Sequence, residues 1–555
     1  MENAKLVVIG WDGATWDLLD DWTKAGYLPN LAKLRQAGSS GAVRSTPLPL
    51  SPAAWSTIVT GQNPGRHGVF DWFERKPGSY AVEYVHTGRI AARPVWDYFN
   101  EGGKRIGIFC PPMLYPAVPV DGFMVSGMAA PNPQAGDFAH PPDLMAGLEA
   151  SVGPYIAAEE ETFKTGREAT YLQSILDWLD YQRRAVRYLV ERYPCDAYLL
   201  VFMQSDHAQH KFWRYLDPTY PGYDPARDGR FRGSILKVYQ ALDSLLGELV
   251  AHFGESARYV LLSDHGAGPA YGVMYINRWL RQEGLLHLKS GAATRLKSWL
   301  ASSNLILRVY RLAAGLGMGK AAQLVSKPVR NKALNAFLSF DDIDWSRTQA
   351  YARGSFGQVY VNLKGREPEG IVEPGPAYEQ RVEEILSRLR ALRHPETGEP
   401  LITGLHRREE VLAGPYLERA ADILFTIQDQ RYQSSVKLGI EGRELLGTSE
   451  YEDSGSHRPE GILVMSGPGI QPGAPIEGAS VADICPTLLA LSGLPVPAGL
   501  DGRVLSEVLA SDLKDRIQME TTPAEGETGR VEPPDLAPEE LAQLEDRLRS
   551  LGYLG

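Results

Sequence analysis

Asp12, Asp206 and Asp264, with His210, His265 and His457, are residue types that ligate divalent cations, and their placement along the chain repeats. Asp12 follows the apolar run 8–9, Asp206 and His210 follow 199–203, and Asp264 and His265 follow 260–263. In an open α/β sheet, ligands bind beyond the carboxyl ends of the strands, so three separate strands would deliver these groups to one edge. His457 precedes a further apolar run, 462–466. Any one of these residues alone reads as a turn, a cap or a structural histidine. Together they offer three carboxylates and three imidazoles, a set that suits two divalent ions. Mixed oxygen and nitrogen donors favour zinc, with manganese or iron tolerated, over magnesium or calcium.

Ser51 opens a helical pattern, Ser-Pro-Ala-Ala-Trp-Ser-Thr. The spacing predicts Ser51 at the N-cap and Pro52 at the first helical position. The plain role is a capping serine. The same place also suits a nucleophile, because a helix N-terminus favours an anion such as a phosphoryl group. His207, between Asp206 and His210, is either an orienting neighbour or a surface residue and stays outside the ligand set. His67 is read as support for the loop after the helix. Arg353 and the run 364–366 could meet an anion, but an exposed positive face is the default.

The elements that must hold these groups are visible in outline. Runs 6–9, 105–110, 197–203, 259–263 and 462–466 read as buried strands, and 358–363 as a further strand. Helical patterns cover 31–36, ended by Gly38 as C-cap, then 170–191, 378–392 and 483–491, the last ending near Gly493. Strands alternating with helices predict a three-layer α/β sandwich with a mostly parallel central sheet. Residues 1–291 and 337–510 are assigned to this core. The stretch 292–336 is rich in Lys and Arg and holds no acid. It reads as a basic helical insertion or cap, whose face could also meet anionic lipid. Residues 511–555 read as an acidic linker, with 519–534 rich in Glu, Thr, Pro and Gly, and a terminal helix.

Bulk properties narrow the function. The 555 residues carry 57 basic and 68 acidic side chains, a net charge of -11. That balance argues against a nucleic-acid polymer as partner, though bound cations could still attract a small anionic substrate. Three scattered cysteines, Cys110, Cys195 and Cys485, suggest small buried residues rather than a disulfide framework. The chain enters its first apolar run at residue 6 and shows no uninterrupted apolar stretch of the roughly 18 residues a membrane span needs. The expectation is a cytoplasmic protein; oligomeric state is not readable.

Four ordered blocks carry a family resemblance. They are Val8–Gly13 with 28–31; 51–61 with Pro64 and His67-Gly68; Asp206 and His210 with Asp264-His265-Gly266; and His457 with 483–489 and 493–495. The chain resembles the type I phosphodiesterase/nucleotide pyrophosphatase family of the alkaline phosphatase superfamily, over about residues 5–505. The resemblance implies that fold, and a phosphoric-ester hydrolase using two divalent ions, zinc or manganese. It implies Asp12, Asp264 and His265 as ligands of one ion with Ser51 the nucleophile beside it, and Asp206, His210 and His457 as ligands of the other. Ser51 stands ten residues before Gly61, the family spacing from nucleophile to the Thr-Gly glycine. Related sulfatases carry a modified cysteine there, so serine points to phosphoryl chemistry and a phosphoseryl intermediate. Two departures stand out. Residues 69–72, Val-Phe-Asp-Trp, replace the stretch where the pyrophosphatases place a phosphoryl-binding asparagine, and 51–54 replace their Thr-Phe-Pro-Asn. Alternatives are a phosphomonoesterase, a phosphoryl or phospho-alcohol transferase of the same superfamily, and a metal-stabilised binding protein without turnover.

Overall fold

The structure, a computed structural model, describes residues 5–127, 130, 136–291, 340–438, 444–449 and 452–523. The basic stretch 292–336 and the terminal helix expected after residue 534 lie outside the described residues.

The main sheet has nine strands. In spatial order they are Ile476–Ser480, Gly38–Arg44, Glu460–Ser466, Arg258–Leu262, Leu6–Trp11, Ala197–Phe202, Ile106–Phe109, Gly122–Val125 and Ala139–His140. Seven run in one direction; Glu460–Ser466 and Ala139–His140 run against it. Side chains alternate across a strand, and here both faces are covered. Leu6 and Val8 join one core with Leu199, Val201, Val260 and Leu463. Val7, Ile9 and Trp11 join another with Leu200, Phe202, Leu261 and Val464. A strand buried on both faces is apolar at every position, which explains the continuous runs seen in the sequence. The expected α/β sandwich with a mostly parallel sheet is therefore the architecture present.

A second sheet lies within residues 350–427. Its order is Ala350–Ala352, Gly357–Val361, Ile423–Ile427 and Ile402–Arg407, all antiparallel. Helix Pro376–Ala391 packs on it through Val382, Ile385, Leu386 and Leu389. This lobe has its own core, and Leu48, Leu50 and Ala53 from around Ser51 join it. Ser51 thus sits where the two lobes meet.

Three local expectations are corrected. The helix after residue 28 runs Pro29–Gln36 and ends on Ala37 in a right-handed conformation, so Gly38 is not its left-handed cap. Gly38 instead opens an edge-to-edge pairing in which a Cβ would meet the Met465 carbonyl at 2.0 Å. Helix Ser51–Thr60 begins one residue early: Leu50 is its N-cap and no side chain caps it. Residues Met519–Pro523, expected in a linker, pair in parallel with Val496–Ala498. Among the described residues no helix is long and apolar enough to cross a membrane.

Candidate active site

The sheet edge gathers the expected groups. Asp12 directly follows Leu6–Trp11, and its amide continues the ladder to Phe202 O at 3.0 Å. Strand Ala197–Phe202 leads into helix Gln204–Leu216, which carries Asp206 in its first turn and His210 four residues on, on the same face. Asp264 and His265 follow Arg258–Leu262. His457 lies on Gly455–Arg458, antiparallel to Gly266–Pro269, opposite Ala267. Because Glu460–Ser466 runs against the other strands, a residue just before it reaches the edge that the parallel strands reach with their ends.

All seven residues are buried: none exceeds 4% exposure. Two sets have ligand atoms within 4.8 Å of one another: Asp12, Asp264 and His265, and Asp206, His457 and His265. His210 joins the second, with Nε2 at 3.3 Å from Asp206 Oδ1 and 3.0 Å from His457 Nε2. The His265 and His457 rings stack at 3.7 Å between centroids. Ser51 Oγ lies 3.3 Å from His265 Nε2. The structure therefore brings every expected site residue into one cluster.

The cluster's electrostatics call for cations. Burial, then the charges of Asp264 and Asp206, pushes the Asp12 carboxyl well above the usual range. Burial, against the charge of His265, raises Asp264. Burial works to raise Asp206 too, but His210, His457 and His265 hold it well below the ordinary value. Burial and the neighbouring His265 push the His457 imidazole well down. Three carboxylates this close and this dry cannot all stay ionised without compensating positive charge.

The donor set fits metal. Among the described residues, Asp12 Oδ1 and Asp264 Oδ2 are buried without a hydrogen-bond partner. His457 Nδ1 donates to Pro49 O at 2.6 Å and His265 Nδ1 to Gly266 O at 2.9 Å, which leaves each Nε2 facing the cluster. Imidazole ligands are oriented in this way by an acceptor on their outer nitrogen. Trp55, one turn beyond Ser51, donates Nε1–H to Asp12 Oδ2 at 2.8 Å, and Ser205 Oγ–H donates to Asp12 O at 2.7 Å. Neither was singled out from the sequence, although Trp55 lies four residues after Ser51, the spacing that puts two side chains on one helix face. Gly13, at φ +66°, donates its amide to Asp264 Oδ1 at 3.3 Å; a Cβ there would come within 2.9 Å of Asp206 Oδ1.

The neighbouring candidates are structural. His207 Nδ1 pairs with Glu159 Oε2 at 2.8 Å and its ring lies against Trp178. His67 accepts the Val69 amide at Nδ1, so its Nε2–H donates to Thr57 Oγ1 at 2.9 Å. Arg353 donates to Tyr80 O, and Arg366 pairs with Asp422 at 2.7 Å in the second lobe. Arg366 is thus a paired group rather than part of an exposed basic face, while Lys364 is exposed beside Glu373. Asp71 turns to the second lobe and accepts from Ser355 N, Ser355 Oγ and Gln358 Nε2 at 2.7–2.8 Å. The three cysteines are buried thiols, as expected, with Cys110 and Cys195 pushed up to about 12 by burial.

The family model described as type I phosphodiesterase / nucleotide pyrophosphatase matches residues 6–460. The chain belongs to the type I phosphodiesterase/nucleotide pyrophosphatase family. Solved structures with a similar fold include phosphonoacetate hydrolase from Sinorhizobium meliloti 1021 in complex with phosphonoacetate. It is 16% identical, with a TM-score of 0.51 over 87% of this chain and 94% of that one. Murine ectonucleotide pyrophosphatase / phosphodiesterase 5, an inactive variant in complex with AMP, is 14% identical, with a TM-score of 0.47 over 89% and 96%. No curated protein matches the chain. As a member of this phosphodiesterase family, the protein is a phosphoryl hydrolase of the phosphodiesterase/pyrophosphatase type in the alkaline phosphatase superfamily, a group of metal-dependent hydrolases.

Proposed function

We propose that the protein cleaves a small phosphoric ester with Ser51 as nucleophile, through a phosphoseryl intermediate. Asp12, Asp264 and His265 would hold one divalent ion, and Asp206, His210 and His457 the other. Zinc suits these donors best, and manganese is the alternative. Such ions, when bound, lower the pKa of a hydroxyl or a water and offset charge on phosphoryl oxygens.

The position of Ser51 Oγ carries this reading. It is buried, 3.3 Å from His265 Nε2, at the first position of its helix. Ser51 Oγ bonds to phosphorus as the bond to the leaving oxygen breaks. That oxygen departs with the electron pair, and the serine's proton ends on the leaving alcohol. Water then attacks the phosphoseryl phosphorus and restores the hydroxyl. The helix N-terminus turns its positive end toward the phosphoryl group. Pro52 has no N–H, and the Ala54 amide is bonded to Leu50 O at 2.9 Å, so the Ala53 amide is the helix-end donor beside Ser51.

The stretch 69–72 supports a substrate unlike that of the nucleotide enzymes, because Asp71 is committed to the second lobe and Trp72 is buried. The ligand of the solved phosphonoacetate hydrolase supports a small-molecule substrate. Turnover of bis-p-nitrophenyl phosphate and p-nitrophenyl phosphate by zinc-reconstituted protein tests the reaction class. Faster release from the diester is expected. Preference for the monoester would move the protein to the phosphatase branch, and release from neither would contradict hydrolysis and favour a transferase.

A further inference from the structure

The outer nitrogens of two site histidines rest on main-chain oxygens: His265 on Gly266 O and His457 on Pro49 O. The third is treated differently. His210 Nδ1 faces a carboxylate, Asp453 Oδ1, at 4.0 Å, a charge contact longer than a hydrogen bond. That same oxygen accepts from Lys211 Nζ at 2.6 Å, and both side chains are only 1% exposed. A buried ion pair of this kind is costly to assemble and is weak evidence for stability by itself. Its location gives it a use.

The segment bearing Asp453 is clipped to the helix at the ligand itself. Ser454 N donates to His210 O at 2.7 Å, and Ser454 Oγ donates to Lys211 O at 3.0 Å. Gly455 lies so close to Gln209 that a Cβ would meet its carbonyl at 2.3 Å. Two residues later the same strand delivers His457. Helix and strand are therefore joined beside the point where they bring His210 Nε2 and His457 Nε2 to 3.0 Å.

We infer that Asp453, held in place by Lys211, is a positioning residue for His210: its charge, facing Nδ1, orients this imidazole toward the ion held by Asp206, His210 and His457. A carboxylate behind an imidazole fixes ring orientation and makes the ligand more basic, and loss of such a partner costs about 10–100-fold in metal affinity. The inference rests on the two-ion reading above. It also predicts an asymmetry between the ions. The outer partner of His265 is a main-chain oxygen and survives any side-chain change, whereas the charge facing His210 belongs to a side chain.

Zinc titration of chelator-stripped protein against a competing chromogenic chelator reads both dissociation constants. In Asp453→Asn, one constant should weaken by about 10–100-fold while the other stays put. Because that change leaves Lys211 buried without its counter-charge, the double variant Asp453→Asn/Lys211→Met removes both charges and should show the same selective loss. In a His457→Ala background, where the second ion's site is already broken, the Asp453 change should leave the remaining constant unmoved. Both constants unchanged, or both weakened together in the charge-neutral variant, would overturn the inference. Wild-type protein that takes up fewer than two zinc ions would instead overturn the two-ion reading on which it depends.

Discussion

Trp55 and His67 show how two residues near one helix do different work. Trp55 donates to Asp12 Oδ2 at 2.8 Å. Trp55→Phe keeps most of the ring volume but removes the N–H, and zinc affinity should fall by about 10–100-fold, read by chelator competition. Unchanged affinity would show that Asp12 needs no such support. His67 is a stability element. Burial, then the Arg419 charge, pushes its imidazole from 6.5 down to about 3. Between these values the unfolded chain binds the proton and the folded one does not. The contribution is therefore complete above pH 6.5 and lost as pH falls toward 3, at ~1.4 kcal/mol per pH unit well inside the window. From pH 6.5 to 5 the wild type should lose roughly 1–2 kcal/mol more than His67→Gln in urea unfolding. Equal losses would contradict a neutral buried imidazole. The acidic site residues were legible in the sequence because Asp12, Asp206 and Asp264 each follow an apolar run, whereas His457 precedes one. The outer partners of the site residues were not, since Asp453 lies more than 240 residues from His210 and only folding joins them.

At the scale of elements, Asp71 is one of several links between the lobes, beside Tyr80 with Asn362 and Glu74 with Arg419. Asp71 receives Ser355 and Gln358 from the second lobe and the Trp72 amide from its own loop. Asp71→Ala would leave these buried donors unsatisfied and should cost about 3 kcal/mol in urea unfolding. A change below about 0.5 kcal/mol, the usual size for an unimportant surface position, would show that Asp71 contributes nothing to that link. The main-sheet strands were readable from sequence because burial on both faces makes them continuously apolar. Ile402–Arg407 is different: it is an edge strand, Ile-Thr-Gly-Leu-His-Arg, with only its first residue buried. Gly455–Arg458 is likewise short and polar. Neither carries a periodic signal, so the second sheet and the approach of His457 emerge only in three dimensions. The start of helix Ser51–Thr60 was misplaced by one residue for a related reason. Serine before proline reads as a cap, but here its hydroxyl lies toward His265.

The molecule as a whole places a buried, acidic centre at one edge of the main sheet and packs a second lobe against the segment that carries Ser51. Leu48, Leu50 and Ala53 belong to the second lobe's core, while Trp55, Ile58 and Val59 belong to the main one. Ser51 is thereby fixed by packing from both sides, the preorganisation that in-line attack requires. Order and spacing along the sequence were enough to indicate the fold and to gather the site. They carry less about the substrate, because specificity resides in loops and insertions added to a shared scaffold. The direct test of the central claim is turnover of bis-p-nitrophenyl phosphate by Ser51→Ala, with bound zinc measured on the same sample. Catalysis should fall by about 10³-fold or more, which is ~4 kcal/mol of barrier, while zinc content stays at the wild-type level. Turnover within a few-fold of wild type at full zinc content would contradict Ser51 as the nucleophile.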